Sequence, residues 1–184
     1  MKATGVVRRI DDLGRIVIPK EIRKTLRIKE GDPLEIFTAK DGEVILKKYS
    51  PIGELTEFAT SYAETLSKTT GHIACITDKD TVVAVSGGSK KEFLEQSLSS
   101  DLEKLMENKE VYISQENNEV SLPITQNDNK ERRYNSQVVY PIISDGDVIG
   151  SVILLSKDQN TKMGEAEQKV VQSAATFLGN QMEI

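Results

Sequence analysis

The sign of the charge changes along this chain near residue 50, and the change limits what can fold with what. Residues 1–50 hold 12 Lys+Arg against 8 Asp+Glu, a net +4, whereas residues 51–184 hold 12 against 21, a net −9. Such a division points to an anion-binding module joined to an acidic domain of different purpose. The basic module must also fold without covalent help. Cys75 and His72 are the only cysteine and histidine among 184 residues, so neither an intrachain disulfide nor a Cys/His zinc cluster can brace it. A segment of roughly 50 residues buries too little surface to offset its conformational entropy. The remaining route to stability is association with a second copy.

The local pattern of that module is readable. Residues 4–10 and 15–18 are rich in β-branched side chains and predict strands around the turn Asp11-Asp12-Leu13-Gly14. Pro19 suits the first position of a helix expected over residues 19–27. There Ile22 and Leu26 lie one turn apart, and Lys20, Arg23, Lys24 and Arg27 fall on the opposite side. Gly31-Asp32-Pro33 ends the helix, and residues 34–38 and 43–48 predict a second strand pair around Lys40-Asp41-Gly42. The expected dimer pools Val6, Ile16, Ile18, Ile22, Leu26, Ile28, Leu34, Ile36, Val44 and Leu46 from two chains. A two-fold pair displays each cation twice, which suits a duplex with paired half-sites.

The run from Thr4 to Leu26, TGVVRRIDDLGRIVIPKEIRKTL, closely resembles the DNA-binding domain of AbrB-type transition-state regulators. The following Gly-Asp-x-Leu-Glu-Ile and the closing Ile-Leu-Lys-Lys-Tyr extend the similarity over nearly all of residues 1–50. The resemblance implies a swapped-hairpin β-barrel made by two interleaved chains. It also implies double-stranded DNA as the partner, with contact roles falling on Arg8, Arg15, Arg23 and Lys24. Lys24 stands where arginine is common in that family, leaving a point charge in place of a bidentate fork. Arg9, next to Arg8 but on the other face of a strand, is open between a dimer-surface charge and a phosphate contact. Lys20 and Arg27 complete the candidate DNA-binding set. Four cations per chain give about eight per dimer and a salt slope of roughly −7 if all meet phosphates.

Residues 51–55 read as a short junction, and residues 56–184 as a second domain. Leu55, Phe58, Ala59, Tyr62, Ala63 and Leu66 follow helical spacing without a miss. Strand-like runs at 72–77 and 81–85 come next, and then a helix expected over 91–108 with Leu94, Leu98, Leu102 and Leu105 as its stripe. A strand is expected at 111–114, a polar loop over 115–133 in which 120–124 pairs briefly, and a hairpin of 137–143 and 148–156 around Asp145-Gly146. A last helix over 164–181 lines up Ala166, Val170, Ala174, Phe177 and Leu178. The order predicts an α+β fold, an antiparallel sheet flanked by helices. With the Gly-Asp-Val-Ile-Gly-Ser-Val-Ile-Leu-Leu-Ser run, it resembles a GAF domain. The combination of both parts resembles a family of sporulation regulators of endospore-forming bacteria. That implies a cytoplasmic protein of the forespore that activates and represses genes, assembled as a tetramer through the GAF-like helices.

Other chemistry is scarce. Cys75 sits in an alternating apolar strand and reads as a small buried hydrophobe, and His72 as a surface or strand-edge residue. Gly87-Gly88-Ser89 is open between an anion cradle and a plain turn, and Arg132-Arg133 reads as loop charge. No cofactor, metal or enzymatic activity is expected: a thiol reductase on this fold needs a second cysteine, and no acid/base pair suggests another reaction. The longest nearly unbroken apolar run, residues 148–155, is far shorter than the roughly 20 residues that span a bilayer, so no membrane partner is expected. Whether the second domain senses a small molecule or serves assembly alone stays open. The competing class is a DNA-binding antitoxin whose tail occludes a toxin.

Overall fold

In the computed structural model the described residues are 5–54, 56–114, 121–128 and 134–182. The chain separates into two units, residues 1–49 and 50–184. The first contains helix α1 (Lys20–Thr25) and the antiparallel strands β1 (Leu34–Thr38) and β2 (Val44–Lys48), with Ile36 opposite Leu46. Pro19 is the capping residue just before α1 rather than its first helical position. The helix closes with the N–H of Arg27 on the Lys24 carbonyl (3.3 Å) and that of Ile28 on the Arg23 carbonyl (2.8 Å). This paired closure needs a left-handed residue just past the helix, and Arg27 takes that conformation at φ +52°. Arg27 therefore lies outside the helix that its spacing predicts. The Lys48 ammonium donates to the Arg27 carbonyl at 3.1 Å and pairs with the Asp32 carboxylate at 3.2 Å, bracing the exit.

Residues 5–10 and 15–18 form no strand within one chain, contrary to the sequence expectation. A strand exists only through its neighbour, and here the Asp11 N–H to Arg15 carbonyl and Gly14 N–H to Asp11 carbonyl bonds close the turn without extending into a ladder. None of the described residues before Ser50 is buried. Val7, Leu13, Ile16, Leu26, Ile36 and Val44 all stand exposed, so the first unit has no core of its own.

The second unit contrasts sharply. A short helix α2 (Pro51–Glu54) leads into α3 (Thr56–Thr70), strands β3 (Ile73–Thr77) and β4 (Val82–Ser86), and helices α4 (Lys90–Phe93) and α5 (Ser100–Glu107). Strands β5 (Tyr112–Ser114), β6 (Ser136–Ser144) and β7 (Asp147–Ser156) and helix α6 (Glu165–Gln181) follow. The five strands make one antiparallel sheet in the order β4-β3-β7-β6-β5. Alternation divides each central strand between two cores. Ala74, Ile76, Val152 and Leu154 meet Ile52, Ala59, Ala63, Val171 and Leu178 on one side. Cys75, Ile153 and Leu155 meet Phe93, Leu98, Leu102 and Ile124 on the other. Two glycines permit this packing. A Cβ at Gly150 would strike the Thr77 carbonyl, and one at Gly179 would strike the Ile143 carbonyl where α6 crosses β6. The β6–β7 hairpin turns at Asp145 and Gly146, both at positive φ, as a two-residue loop demands.

The helix expected over 91–108 is broken. Glu95 takes φ +61°, and Glu95 N–H and Gln96 C=O bond the main chain of Val82. Ser99 then caps α5 by accepting the Leu102 N–H at 3.1 Å. Leu98, Leu102 and Leu105 are buried and Leu94 half-buried, yet Leu98 reaches the core from an extended bridge to Thr125.

Candidate nucleic-acid interface

One turn places Arg15 and one short helix places Lys20, Arg23 and Lys24. Asp11 anchors the turn. One carboxylate oxygen accepts the N–H groups of Leu13 (3.0 Å) and Arg15 (2.7 Å), and the other accepts Nε–H of Arg15 at 2.8 Å. Gly14, at φ +77°, donates its N–H to the Asp11 carbonyl at 3.0 Å and lets the chain reverse. The Arg15 backbone N–H, then its side chain, hold the Asp11 carboxyl below the usual carboxylate range. The Arg15 side chain remains 69% exposed.

On α1, Lys20 and Lys24 are exposed, whereas Arg23 is half-buried with its Nε withdrawn from solvent and lacking an acceptor. Arg8 and Arg9 are both exposed, in a segment that makes no strand within one chain, so the expected division between two strand faces is not formed there. Arg27, moved off the helix by its left-handed backbone, is half-buried. The arrangement offers guanidinium and ammonium groups on a turn and an adjoining helix, chemistry suited to phosphate oxygens and base edges. Asp11, which its sequence context presents as a plain turn residue, is the residue that fixes Arg15. Its signal was an Asp four residues before an Arg across a Gly turn, an arrangement in which Asp bonds its own backbone.

The second unit holds fewer polar features. Cys75 is fully buried, and burial, with the nearby Asp128 charge, pushes its thiol pKa up. His72 is half-buried in the bend just before β3, its N–H on the Thr70 hydroxyl at 3.3 Å. Gly87 and Gly88 are explained by packing. A Cβ on the first would meet the Ser67 hydroxyl and His72 carbonyl, and one on the second the Ile73 side chain. Leu55, Arg132-Arg133, most of the expected 115–133 loop and Val120 of the brief pairing at 120–124 lie outside the described residues. Among the described residues no group of His, Cys, Asp and Glu is placed to hold a metal ion, and no helix is long and apolar enough to cross a membrane. On the outer side of α3 and α6, Phe58, Tyr62 and Phe177 form a cluster with ring centroids 5.8–6.0 Å apart. Phe58 and Phe177 remain 37% and 40% exposed. The sequence stripe places Phe177 and Ala166 on the apolar side of α6, but both are exposed. The buried set is instead Val171, Ala174, Ala175, Leu178 and Gly179.

Comparison with known proteins fits this two-part construction. Residues 54–183 match the family described as stage V sporulation protein T C-terminal, transcription factor. Over 183 residues the chain is 54% identical to stage V sporulation protein T of Bacillus subtilis (strain 168), covering all of this chain and 99% of that protein. The chain belongs to the stage V sporulation protein T family. This is a family of transcription factors. The first unit is 59% identical over 51 residues to the transition state regulatory protein AbrB of the same organism, covering 28% of this chain and 52% of that protein. Residues 7–54 also match the family described as antidote-toxin recognition MazE, bacterial antitoxin. The crystal structure of the GAF domain of Thermosynechococcus elongatus PixJ, in its blue-light absorbing form, aligns with a TM-score of 0.59 at 14% identity, covering 74% of this chain and 89% of that one. The second unit therefore has the GAF fold.

Proposed function

We propose that this transcription factor binds specific double-stranded DNA through its basic first unit and regulates sporulation genes in the forespore, activating some and repressing others. Two chains interleave residues 1–50 into one swapped-hairpin DNA-binding body, and the GAF-fold units join two such bodies into a tetramer. The observation that carries the reading is the coreless first unit, which leaves its apolar side chains exposed beside clustered cations. A second chain covers those side chains and doubles the cationic display. Arg8, Arg15, Arg23 and Lys24 are the principal contacts, with Arg9, Lys20 and Arg27 adding charge. Arg23 is half-buried with its Nε closed to solvent, so in this reading a phosphate oxygen meets its terminal nitrogens and not its Nε. The exposed Phe58–Phe177 face supports association of the second units, since aromatic residues concentrate in buried interface cores.

Selection of duplexes from a random pool by the full chain, followed by footprinting, tests the reading. Arg15→Ala and Arg23→Ala are expected to abolish tight binding to the selected duplex while leaving the oligomer intact, and normal affinity in both refutes it. The antitoxin alternative draws only on residues 7–54. The described residues of 50–184 form a folded sheet-and-helix unit and not an extended tail.

A further inference from the structure

A carboxylate in a loop that meets DNA is a liability by charge alone, since it repels the phosphates that the neighbouring arginines attract. Asp11 is such a group, and both of its oxygens are engaged within the turn that carries Arg15. One holds the Leu13 and Arg15 backbone N–H groups, and the other holds Nε–H of the Arg15 guanidinium at 2.8 Å. A guanidinium has five N–H donors, and this bond occupies only one of them. The four on its two terminal nitrogens remain for a partner, on a side chain that is 69% exposed. Asp12, its exposed neighbour, makes none of these bonds.

We infer that Asp11 is a positioning residue for duplex recognition, fixing the Arg15 guanidinium by its Nε so that the terminal nitrogens meet a phosphate or guanine edge already oriented. This rests on the DNA-binding reading above. Its physical content is preorganisation. An arginine side chain has many rotamers, and the ordering that binding requires is done beforehand inside the folded turn. The local geometry favours the same view. The two backbone hydrogen bonds to Asp11 fix where its carboxylate stands, and the carboxylate then fixes Arg15.

The test uses the full chain, a duplex that this chain has selected from a random pool, and an unrelated duplex of equal length. Asp11→Asn retains an oxygen for the backbone N–H groups but replaces the acceptor of Arg15 Nε with an amide and removes one negative charge. Charge alone predicts tighter binding to both duplexes. Positioning predicts about tenfold weaker binding to the selected duplex, with a salt slope like that of the unaltered chain because every cation remains. Asp12→Asn, which removes the same charge one residue away, is expected to bind at least as tightly as the unaltered chain. In an Arg15→Ala background, Asp11→Asn is expected to produce no further loss. Arg15→Lys, which leaves Asp11 and its backbone bonds in place, supplies a second route, and adding Asp11→Asn to it is likewise expected to change little. The inference is overturned if Asp11→Asn binds the selected duplex as well as Asp12→Asn does, or if its loss persists once Arg15 is gone. A full chain that selects no duplex at all refutes the DNA-binding reading itself. One that selects a duplex but is indifferent to Asp11→Asn refutes the positioning role alone.

Discussion

If the first unit is completed by a second chain, truncating one of its exposed apolar side chains weakens association rather than the fold of a single chain. Ile36 is the sharpest position, since it pairs across the hairpin with Leu46 and is 66% exposed in one chain. Ile36→Ala removes three carbons, each worth about 0.8 kcal/mol when fully buried. Roughly two-thirds of that sum awaits the partner, hence about 1.6 kcal/mol per chain and about 3 kcal/mol per pair. At 1.4 kcal/mol per tenfold, the dimer dissociation constant should rise on the order of 100-fold. Sedimentation equilibrium on a fragment of residues 1–53, with circular dichroism followed over the same concentrations, reads both association and order. The fragment should lose strand signal on dilution, and the variant should lose it at about 100-fold higher concentration. A variant that associates like the unaltered fragment refutes the reasoning, as does an unaltered fragment that stays folded as a single copy.

Three further outcomes concern the second unit. Gly179→Ala drives a methyl group into the Ile143 carbonyl, backbone against backbone, and should cost about 1–3 kcal/mol by urea unfolding; an unchanged midpoint contradicts the close crossing of α6 over β6. Gln137 is buried, its amide accepting the Leu122 N–H at 2.8 Å and donating to the Leu122 carbonyl at 2.7 Å. Gln137→Leu should cost about 2–4 kcal/mol and speed hydrogen exchange at the Leu122 amide, and slow exchange there in the variant refutes that anchor. Cys75, buried and with its thiol pKa raised, should resist a thiol-specific disulfide reagent at pH 8 until the protein is unfolded in urea. Immediate reaction of the native chain contradicts it.

Where local pattern and tertiary contact agree, the fold could be read directly from the residues. The β6–β7 hairpin turns at Asp145-Gly146 because only residues tolerant of positive φ close a two-residue loop there. Helix α3 ends at Thr70, before the left-handed Gly71. The misreadings have a common cause, which is that partners distant in sequence decide the conformation. Leu94, Leu98, Leu102 and Leu105 repeat at helical intervals, yet Glu95 turns left-handed against Val82, and bridges to Thr81 and Thr125 hold Ser97 and Leu98 extended. Ser99 carried the cap signal that would have divided the segment. Arg27 falls on the helical face by arithmetic but follows a closure that the Arg23 and Lys24 carbonyls complete. Of the candidate site, the cations were visible as a charge pattern. Asp11 was not, because a carboxylate among arginines looks like turn chemistry until its Nε partner is located.

The two units meet the demand for burial in different ways, and the difference has a consequence for DNA binding. The second unit packs a core against each face of its sheet, with β7 buried on both sides. The first unit has no buried side chain among its described residues, so under the proposed pairing its order depends on how often it meets another copy. If the second units associate as proposed, they set that frequency, because linked modules reach an effective concentration of about a millimolar without any new contact to DNA. The net charge of −9 over residues 51–184 works the other way on contact, holding that part off the phosphates. Removing the second unit should therefore weaken binding by loss of pairing, not by loss of cations. On a duplex long enough for one pair of first units, residues 1–53 should bind more weakly than the full chain with the same dependence on salt, because counterion release counts only the phosphates neutralised. A shallower slope for the fragment would show that residues beyond 53 touch the duplex, and would refute this division of roles.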